Sequence, residues 1–371
     1  MLEDPFWCST CVTMSTRPRI QFDSSGRCSA CQWREYKEKQ IDWMARWSSL
    51  ESLCHGHRNK DSYDCIVAVS GGKDGSYVSY NLKKRLNMNP LTVTVRPAME
   101  TYLGQKNLSR FVDSGFANIL ISPDPEAMKT LNRIGLSEMG FSYYGWLIAI
   151  HSAVLKVALQ FSIPLVFYSE DGECEYGGDM QLKDNGIYGV DYMLSRYMEA
   201  GYDRVLRNSG LSDSQLYWFT MPNQADLDKI DLKVTHWGFF ESWDPYRNYL
   251  VAKEHCGLQE SDESNVGTFT NFAQTDQDLY PLHVYLMYLK YGFGRATQDA
   301  GIDVRRGAMS RAQAVQLVKM YDDFYPEEYF ESWCQYYGIG REDLLEVFDR
   351  WANRDLFKKV NGRWLAKFEI R

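Results

Sequence analysis

The apolar run Cys65-Ile66-Val67-Ala68-Val69 leads directly into Ser70-Gly71-Gly72-Lys73-Asp74-Gly75-Ser76, and a helical pattern follows at Tyr77, Tyr80, Leu82 and Leu86. A strand that ends in a glycine-rich turn and passes into a helix aims several backbone N–H groups, and the positive end of the helix dipole, at one point. That point suits a phosphate or pyrophosphate. The glycine pair lets the backbone approach the anion, Lys73 supplies a point charge, and Asp74 can hold the magnesium that accompanies a nucleotide. The turn is not a Walker A loop, because the lysine follows the glycine pair directly. It also lacks the third glycine of a dinucleotide fingerprint. ATP chemistry is the expectation.

Around this turn, apolar strands alternate with helical stretches. Strand 63–70 and helix 74–88 are followed by strand 91–95, a helix through Leu103, Leu108, Phe111 and Val112, and strand 117–121. Asp124-Pro125-Glu126 reads as a helix start, with the aspartate as cap and proline in the first position. A long apolar helix near 142–161 precedes a buried strand at 164–168. Such alternation predicts an α/β fold, a parallel sheet sandwiched by helices. Ligands in such sheets bind beyond the carboxyl ends of the strands, where both the Ser70 turn and the segment after Tyr168 lie.

That second segment, 169–179, carries five carboxylates in eleven residues. Its place after a buried strand and its paired glycines favour a site over a solvated acidic loop. Glu170 or Asp171 can bind magnesium or orient a nucleophile, and Glu175-Tyr176-Gly177-Gly178 can approach a substrate closely. Residues 180–235 show weak periodicity and read as an insertion over the site. Helical patterns then recur at 244–256, 277–291, 311–321, 326–338 and 342–353, with Ser310-Arg311-Ala312-Gln313 as a capping box. This tail is expected to be all-helical, packing on the sheet or building a homodimer contact. The domain boundaries expected are 1–35 (knuckle), 36–60 (helical connector), 61–235 (nucleotide domain with its insertion) and 236–371 (helical region).

Cys8, Cys11, Cys28 and Cys31 form C-x2-C-x16-C-x2-C, the spacing of a four-thiolate zinc site. With all four positions filled by protein, such zinc would be structural. Two disulfides, a redox pair and an iron–sulfur cluster are the alternatives. The chain of 371 residues is 44% apolar and 24% charged, a globular composition. Its net charge of −8 argues against a general affinity for nucleic acid or anionic membrane. No apolar run approaches the length of a membrane span and the N-terminus lacks a signal-peptide pattern, so a cytoplasmic address is expected.

Residues Ser70 to Ser76 resemble the SGGxDS signature of the PP-loop ATP pyrophosphatases, with Gly75 standing where that signature has serine. The resemblance is wider than one loop. The N-terminal C-x2-C-V start, Leu103-Gly104-Gln105-Lys106-Asn107, Glu175-Tyr176-Gly177-Gly178, Gly267-Thr268-Phe269-Thr270, Lys290-Tyr291-Gly292-Phe293-Gly294-Arg295-Ala296-Thr297 and Ser310 to Ala314 resemble, in order, the N-acetyl sugar amidotransferases of the WbpG and pseudaminic-acid type. These act in bacterial surface-polysaccharide biosynthesis.

The resemblance implies a PP-loop, adenine nucleotide α-hydrolase-like fold. It implies ATP-dependent conversion of the N-acetyl group of a UDP-linked sugar to an acetamidino group through an adenylylated imidate. Ammonia would come from a glutaminase related to that of histidine biosynthesis, working with a cyclase-like subunit. Ser70, Gly71, Gly72, Lys73, Asp74, Gly75 and Ser76 would hold ATP, with Lys73, Asp74 and Glu170 as the catalytic set and Mg2+ on the carboxylates. Asn107, Glu175, Tyr176, Gly177, Thr270, Lys290 and Arg295 are the candidates for substrate contact. Two rivals are a tRNA-modifying PP-loop enzyme, disfavoured by the acidic charge and the lack of a basic appended domain, and a zinc-bearing scaffold without turnover.

Overall fold

A computed structural model describes residues 4–371. Its centre is a six-stranded sheet built from β1 (Cys65–Ala68), β2 (Pro90–Val95), β3 (Ala117–Ile121), β4 (Leu165–Tyr168), β5 (Ile187–Tyr188) and β6 (Lys233–His236), in the order β3-β2-β1-β4-β6-β5. Every neighbouring pair is parallel except β5 with β6. β1 lies at the centre, with Ile66 in register with both Leu91 and Val166.

Because successive strand residues point to opposite faces, the central strands feed two separate cores. Cys65, Val67, Val69, Leu165 and Phe167 pack on one face with Leu50, Tyr77, Val78, Leu82, Leu108, Phe111 and Trp237. Those partners come from α2 (Trp43–Gly56), α3 (Lys73–Lys84), α4 (Tyr102–Asp113) and a helical turn at Trp237–Phe240. Ile66, Leu91, Val93, Val166 and Val234 pack on the other face against α5 (Pro125–Met139) and α6 (Tyr144–Phe161). The expected caps are in place. Asp124 accepts from the amides of Glu126 and Ala127 at 2.9 and 3.0 Å. Ser310 and Gln313 close a capping box.

Helix α6 corrects the expectation that no segment reaches membrane-spanning length. Its 18 residues are long and apolar enough, but 61% of the span is buried inside the protein, so its side chains face core. The segment read as an insertion, 180–235, holds β5 and all but the last residue of β6, and β6 extends the sheet beyond β4. Lys233-Val-Thr-His236 holds a single apolar residue in four positions, too little pattern to stand out.

The C-terminal part has its own core, in which Tyr285, Trp333, Phe348 and Phe357 join Leu136 of α5. Beyond α7 (Gly172–Tyr176), its helices are α8 (Pro245–Cys256), α9 (Tyr280–Tyr291), α10 (Arg295–Arg305), α11 (Arg311–Tyr321), α12 (Phe330–Tyr337) and α13 (Arg341–Trp351). It is not all-helical, since β7 (Phe357–Val360) and β8 (Arg363–Ala366) form a terminal hairpin. The hairpin exposes Lys358, Lys359 and Arg363 and buries Phe357 and Trp364, so little apolar pattern marks it.

The N-terminal cysteines sit between these parts. Arg311 donates to the carbonyls of Cys8 and Cys11 at 3.3 and 3.1 Å. Helix α1 (Ser29–Lys39) lies against α7, where Lys37 and Trp33 bond Glu175.

Leu155, fully buried in α6, is a sensitive point for this architecture. Leu155→Ala is expected to lower the unfolding free energy by about 2–5 kcal/mol in urea titrations, against little change for Leu250→Ala, which is 60% exposed.

Candidate functional site

Past β1 the chain still bonds to the sheet, with the Val69 amide on the Val93 carbonyl at 3.0 Å, and then turns at Gly71 with φ of +85°. A Cβ on Gly71 would lie 2.5 Å from the Leu108 amide nitrogen, so no side chain fits there. Gly72 caps α3. Gly75 is equally constrained, because its Cβ would come within 2.9 Å of the Ala68 carbonyl and 3.0 Å of Val69 Cα. That contact explains the departure from the SGGxDS pattern. Ser76 is fully buried in α3 and does not line the cavity that the turn faces, so it does not stand in for the missing serine.

The turn opens into a cavity of about 240 Å³. Ser70 to Gly75, Asn107, Glu170, Tyr176, Thr270 and Arg295 all line it, although they span more than 200 positions of sequence. Lys73 and Asp74 form an ion pair, and Asn248 donates to the other Asp74 oxygen at 3.3 Å. Burial opposes the charge on Lys73, but Asp74 and Glu170 outweigh it and hold the ammonium above its usual range. Burial first, and then the Asp74 charge, pushes the Glu170 carboxyl up to about 7.

Opposite the turn, Arg295 pairs with Asp299 at 2.9 Å, and Asp299 also accepts from Thr268 at 2.6 Å and Thr270 at 3.4 Å. Burial disfavours the guanidinium, yet Asp299, Tyr280 and Tyr176 more than compensate, so Arg295 stays charged. Tyr176 is backed by the Arg17 guanidinium, 5.3 Å from its ring centroid.

Four nominated residues act elsewhere in the fold. Glu175 turns its carboxylate to Lys37, at 2.7 Å, and to Trp33. A Cβ on Gly177 would meet the Ala30 amide at 2.5 Å, so this glycine seats α1. Lys290 donates to the Met139 carbonyl at 3.1 Å and lies over the Trp351 ring. Asn107 reaches the cavity wall, but both ends of its amide bond the Gln259 backbone at 2.9 Å, which fixes α4 beneath the turn.

Several wall residues were not anticipated: Trp243, Tyr246, Asp276, Tyr280 and Asp299. Asp276 lies beside Ser70, and burial raises its carboxyl against the opposing pull of its own amide and the Ser70 hydroxyl. Only Asp299 left a trace in sequence, four positions after Arg295 on one helix.

The four cysteine sulfurs all lie within 4.8 Å of one another, with Cys8 to Cys31 at 3.8 Å and Cys11 to Cys28 at 3.7 Å. These separations are well beyond the ~2.0 Å of a disulfide bond. Amides of Thr10, Thr13 and Cys28 point at the sulfurs at 3.2–3.4 Å, favouring thiolates that ligate a metal ion.

A mostly parallel sheet of this strand order, with a Ser-Gly-Gly-Lys-Asp turn at the end of its central strand and helices on both faces, is the kind of fold that the PP-loop resemblance implies. Residues 266–370 match the model of the LPS biosynthesis protein WbpG-like C-terminal domain. No curated protein matches the sequence.

Similar solved structures include a predicted subunit of tRNA methyltransferase from Methanocaldococcus jannaschii, at 15% identity and TM-score 0.27, covering 56% of this chain and 81% of that one. An NH3-dependent NAD synthetase from Campylobacter jejuni is 16% identical at TM-score 0.28, covering 51% and 92%. An NMN synthetase from Francisella tularensis is 15% identical at TM-score 0.26, covering 52% and 85%.

The raised Glu170 carboxyl has a stability consequence. The folded state holds a proton there that the unfolded chain releases near pH 4.5, so the nucleotide-free protein should lose stability as pH rises from about 4.5 through about 7. Glu170→Gln is expected to remove that loss, gaining on the order of 1–3 kcal/mol over wild type above pH 7 and nothing below pH 4.5, in denaturant titrations across pH.

Proposed function

We propose that this chain is an ATP-dependent amidotransferase that converts the N-acetyl group of a UDP-linked sugar to an acetamidino group, for bacterial surface polysaccharide such as O-antigen. The observation that carries the reading is the composition of one cavity. Its floor is the phosphate-binding turn with Lys73, Asp74 and Glu170, and its opposite wall, with Thr270, Tyr280, Arg295 and Asp299, comes from the WbpG-like domain.

An amide carbonyl is a poor electrophile, so its oxygen must first become a leaving group. That oxygen attacks the α-phosphorus of ATP, the bond to the β-phosphate breaks, and pyrophosphate departs. Ammonia then adds to the imidate carbon and loses a proton, and AMP leaves with the former amide oxygen. The turn amides and Lys73 meet the charge that develops on the departing pyrophosphate, in a site organised before the reaction. Arg295, fixed by Asp299, offers a fork for a sugar carboxylate or the phosphates of the nucleotide carrier. Asp74 and Glu170 suit magnesium, because a cation would relieve the burial and the Asp74 charge that oppose ionisation of Glu170, and Asn248 orients Asp74. When bound, magnesium would add positive charge to the phosphate oxygens.

At the N-terminus a tetrahedral zinc with metal–sulfur bonds of about 2.3 Å has sulfur–sulfur edges of about 3.8 Å, which fits the cysteine cluster. With four protein ligands its role is structural. Ammonia is supplied by a glutaminase partner with a cyclase-like subunit, in the cytoplasm where ATP is available.

Product analysis tests the reading. AMP and pyrophosphate should appear only when a UDP-linked N-acetyl sugar and ammonium are both present, and the sugar should lose an oxygen and gain NH by mass spectrometry. Asp74→Ala should abolish this turnover without unfolding the chain. ADP as product, or turnover that needs tRNA, would overturn it. Metal analysis should find about one zinc per chain, and Cys8→Ser should lose it and lower the thermal midpoint by about 5 °C or more. A Cys8→Ser protein of unchanged stability and no turnover would make the cluster catalytic instead.

A further inference from the structure

Tyr176 lines a second space as well as the reaction cavity. It shares a small hollow of about 10 Å³ with Arg17, Phe293, Gln298 and Arg305. Two guanidiniums line this hollow and no carboxylate does.

The other cations nearby are each matched. Lys73 pairs with Asp74, Arg295 with Asp299 at 2.9 Å, and Lys37 with Glu175 at 2.7 Å. Arg19 takes both oxygens of Glu173, at 2.8 and 2.6 Å, and the Asp179 amide donates to the same carboxylate at 2.7 Å. Arg305 faces the Cys11 sulfur at 3.8 Å and the Glu175 carbonyl at 3.4 Å. Arg17 is the exception. Its Nε is enclosed without a hydrogen-bond partner among the described residues, and its guanidinium meets only the rings of Tyr176 and Phe293, 5.3 and 5.9 Å from their centroids. Burial pulls it down to about 10, against support from the Glu173 charge that Arg19 already uses, so it stays charged at neutral pH.

A buried cation faced by rings alone is costly, and stacking recovers only a part of the lost hydration. The missing partner is an anion. Guanidinium groups present planar forks that fit the oxygens of a carboxylate or phosphate. The hollow has space for about one atom, so a single oxygen enters it, and half-buried Arg17 leaves the route open.

We propose that Arg17, with Arg305 beside it and Tyr176 over it, is the principal cation of an oxyanion site adjoining the reaction cavity. The site does not require the amidotransferase reading. Its occupant is a carboxylate or phosphate, borne either by the sugar nucleotide or by a free ion.

Inorganic phosphate is titrated into the full chain without sugar or ATP, and the thermal midpoint is followed for wild type and Arg17→Met. Phosphate also meets the Ser70 turn, but that contribution is common to both proteins. In phosphate-free buffer Arg17→Met should melt at or above the wild-type midpoint, because a buried charge without a partner is gone. At saturating phosphate the wild type should gain at least about 2 °C more than the variant. Equal gains overturn the proposal, as does a variant that melts well below wild type in phosphate-free buffer, since Arg17 would then serve packing alone. Kinetics name the source of the oxyanion. A KM for the sugar nucleotide raised about tenfold or more in Arg17→Met, with the KM for ATP unchanged, assigns it to the substrate. An unchanged KM beside a lost phosphate response assigns it to a free ion. A chain that forms no AMP sinks the amidotransferase reading and leaves the phosphate result in force.

Discussion

Helix α3 starts where it does because the backbone around it leaves no space for a β-carbon at two positions. At Gly71 the turn runs against the α4 backbone at Asn107 and Leu108, and at Gly75 the first turn of α3 runs against the end of β1. These contacts draw strand, turn and two helices into one tight unit and direct the turn amides outward past the sheet. The ion pair of Lys73 with Asp74, the Asn248 contact and the exposure of Glu170 to the same space all follow from that placement.

The cavity is completed by residues far from the turn in sequence. Asp299 and Arg295 on α10 form its opposite wall, and Tyr176 on α7 its side, backed by Arg17. The loop around Asp276 closes over α4, where Gly104 admits the Asp276 backbone at a distance that a β-carbon would bring to 2.6 Å. The electrostatics are balanced in pairs. Each buried cation on the wall has a carboxylate beside it, and at Glu170 burial and the Asp74 charge outweigh the pull of Lys73 and Arg295, so its carboxyl rises to about 7.

What sequence revealed and what it hid have physical reasons. The turn was legible because an apolar strand, a glycine pair and a helix pattern follow one another within a few residues. The cysteine spacing and the caps at Asp124 and Ser310 are equally local signals. β6 was hidden because four residues of mixed polarity carry little pattern. Helix α10 shows little beyond its start at Arg295, because it buries small and polar residues, Ala296, Thr297, Asp299, Ala300 and Asp303, in place of an apolar stripe. Glu175 and Gly177 looked like substrate contacts because an acidic, glycine-rich loop after a strand has that appearance. Their partners, Lys37 and Ala30, lie well over a hundred positions earlier, and nothing local announces them.

The arginine contacts that join the first and last parts of the chain bear on how the molecule is made. The cysteine knuckle is synthesised well before the side chains that clamp it, Arg305 and Arg311, which lie about three hundred residues further along. A nascent chain therefore has its knuckle in hand before the surface that receives it exists. Products truncated before Arg305 would carry a cysteine-rich head with nowhere to sit.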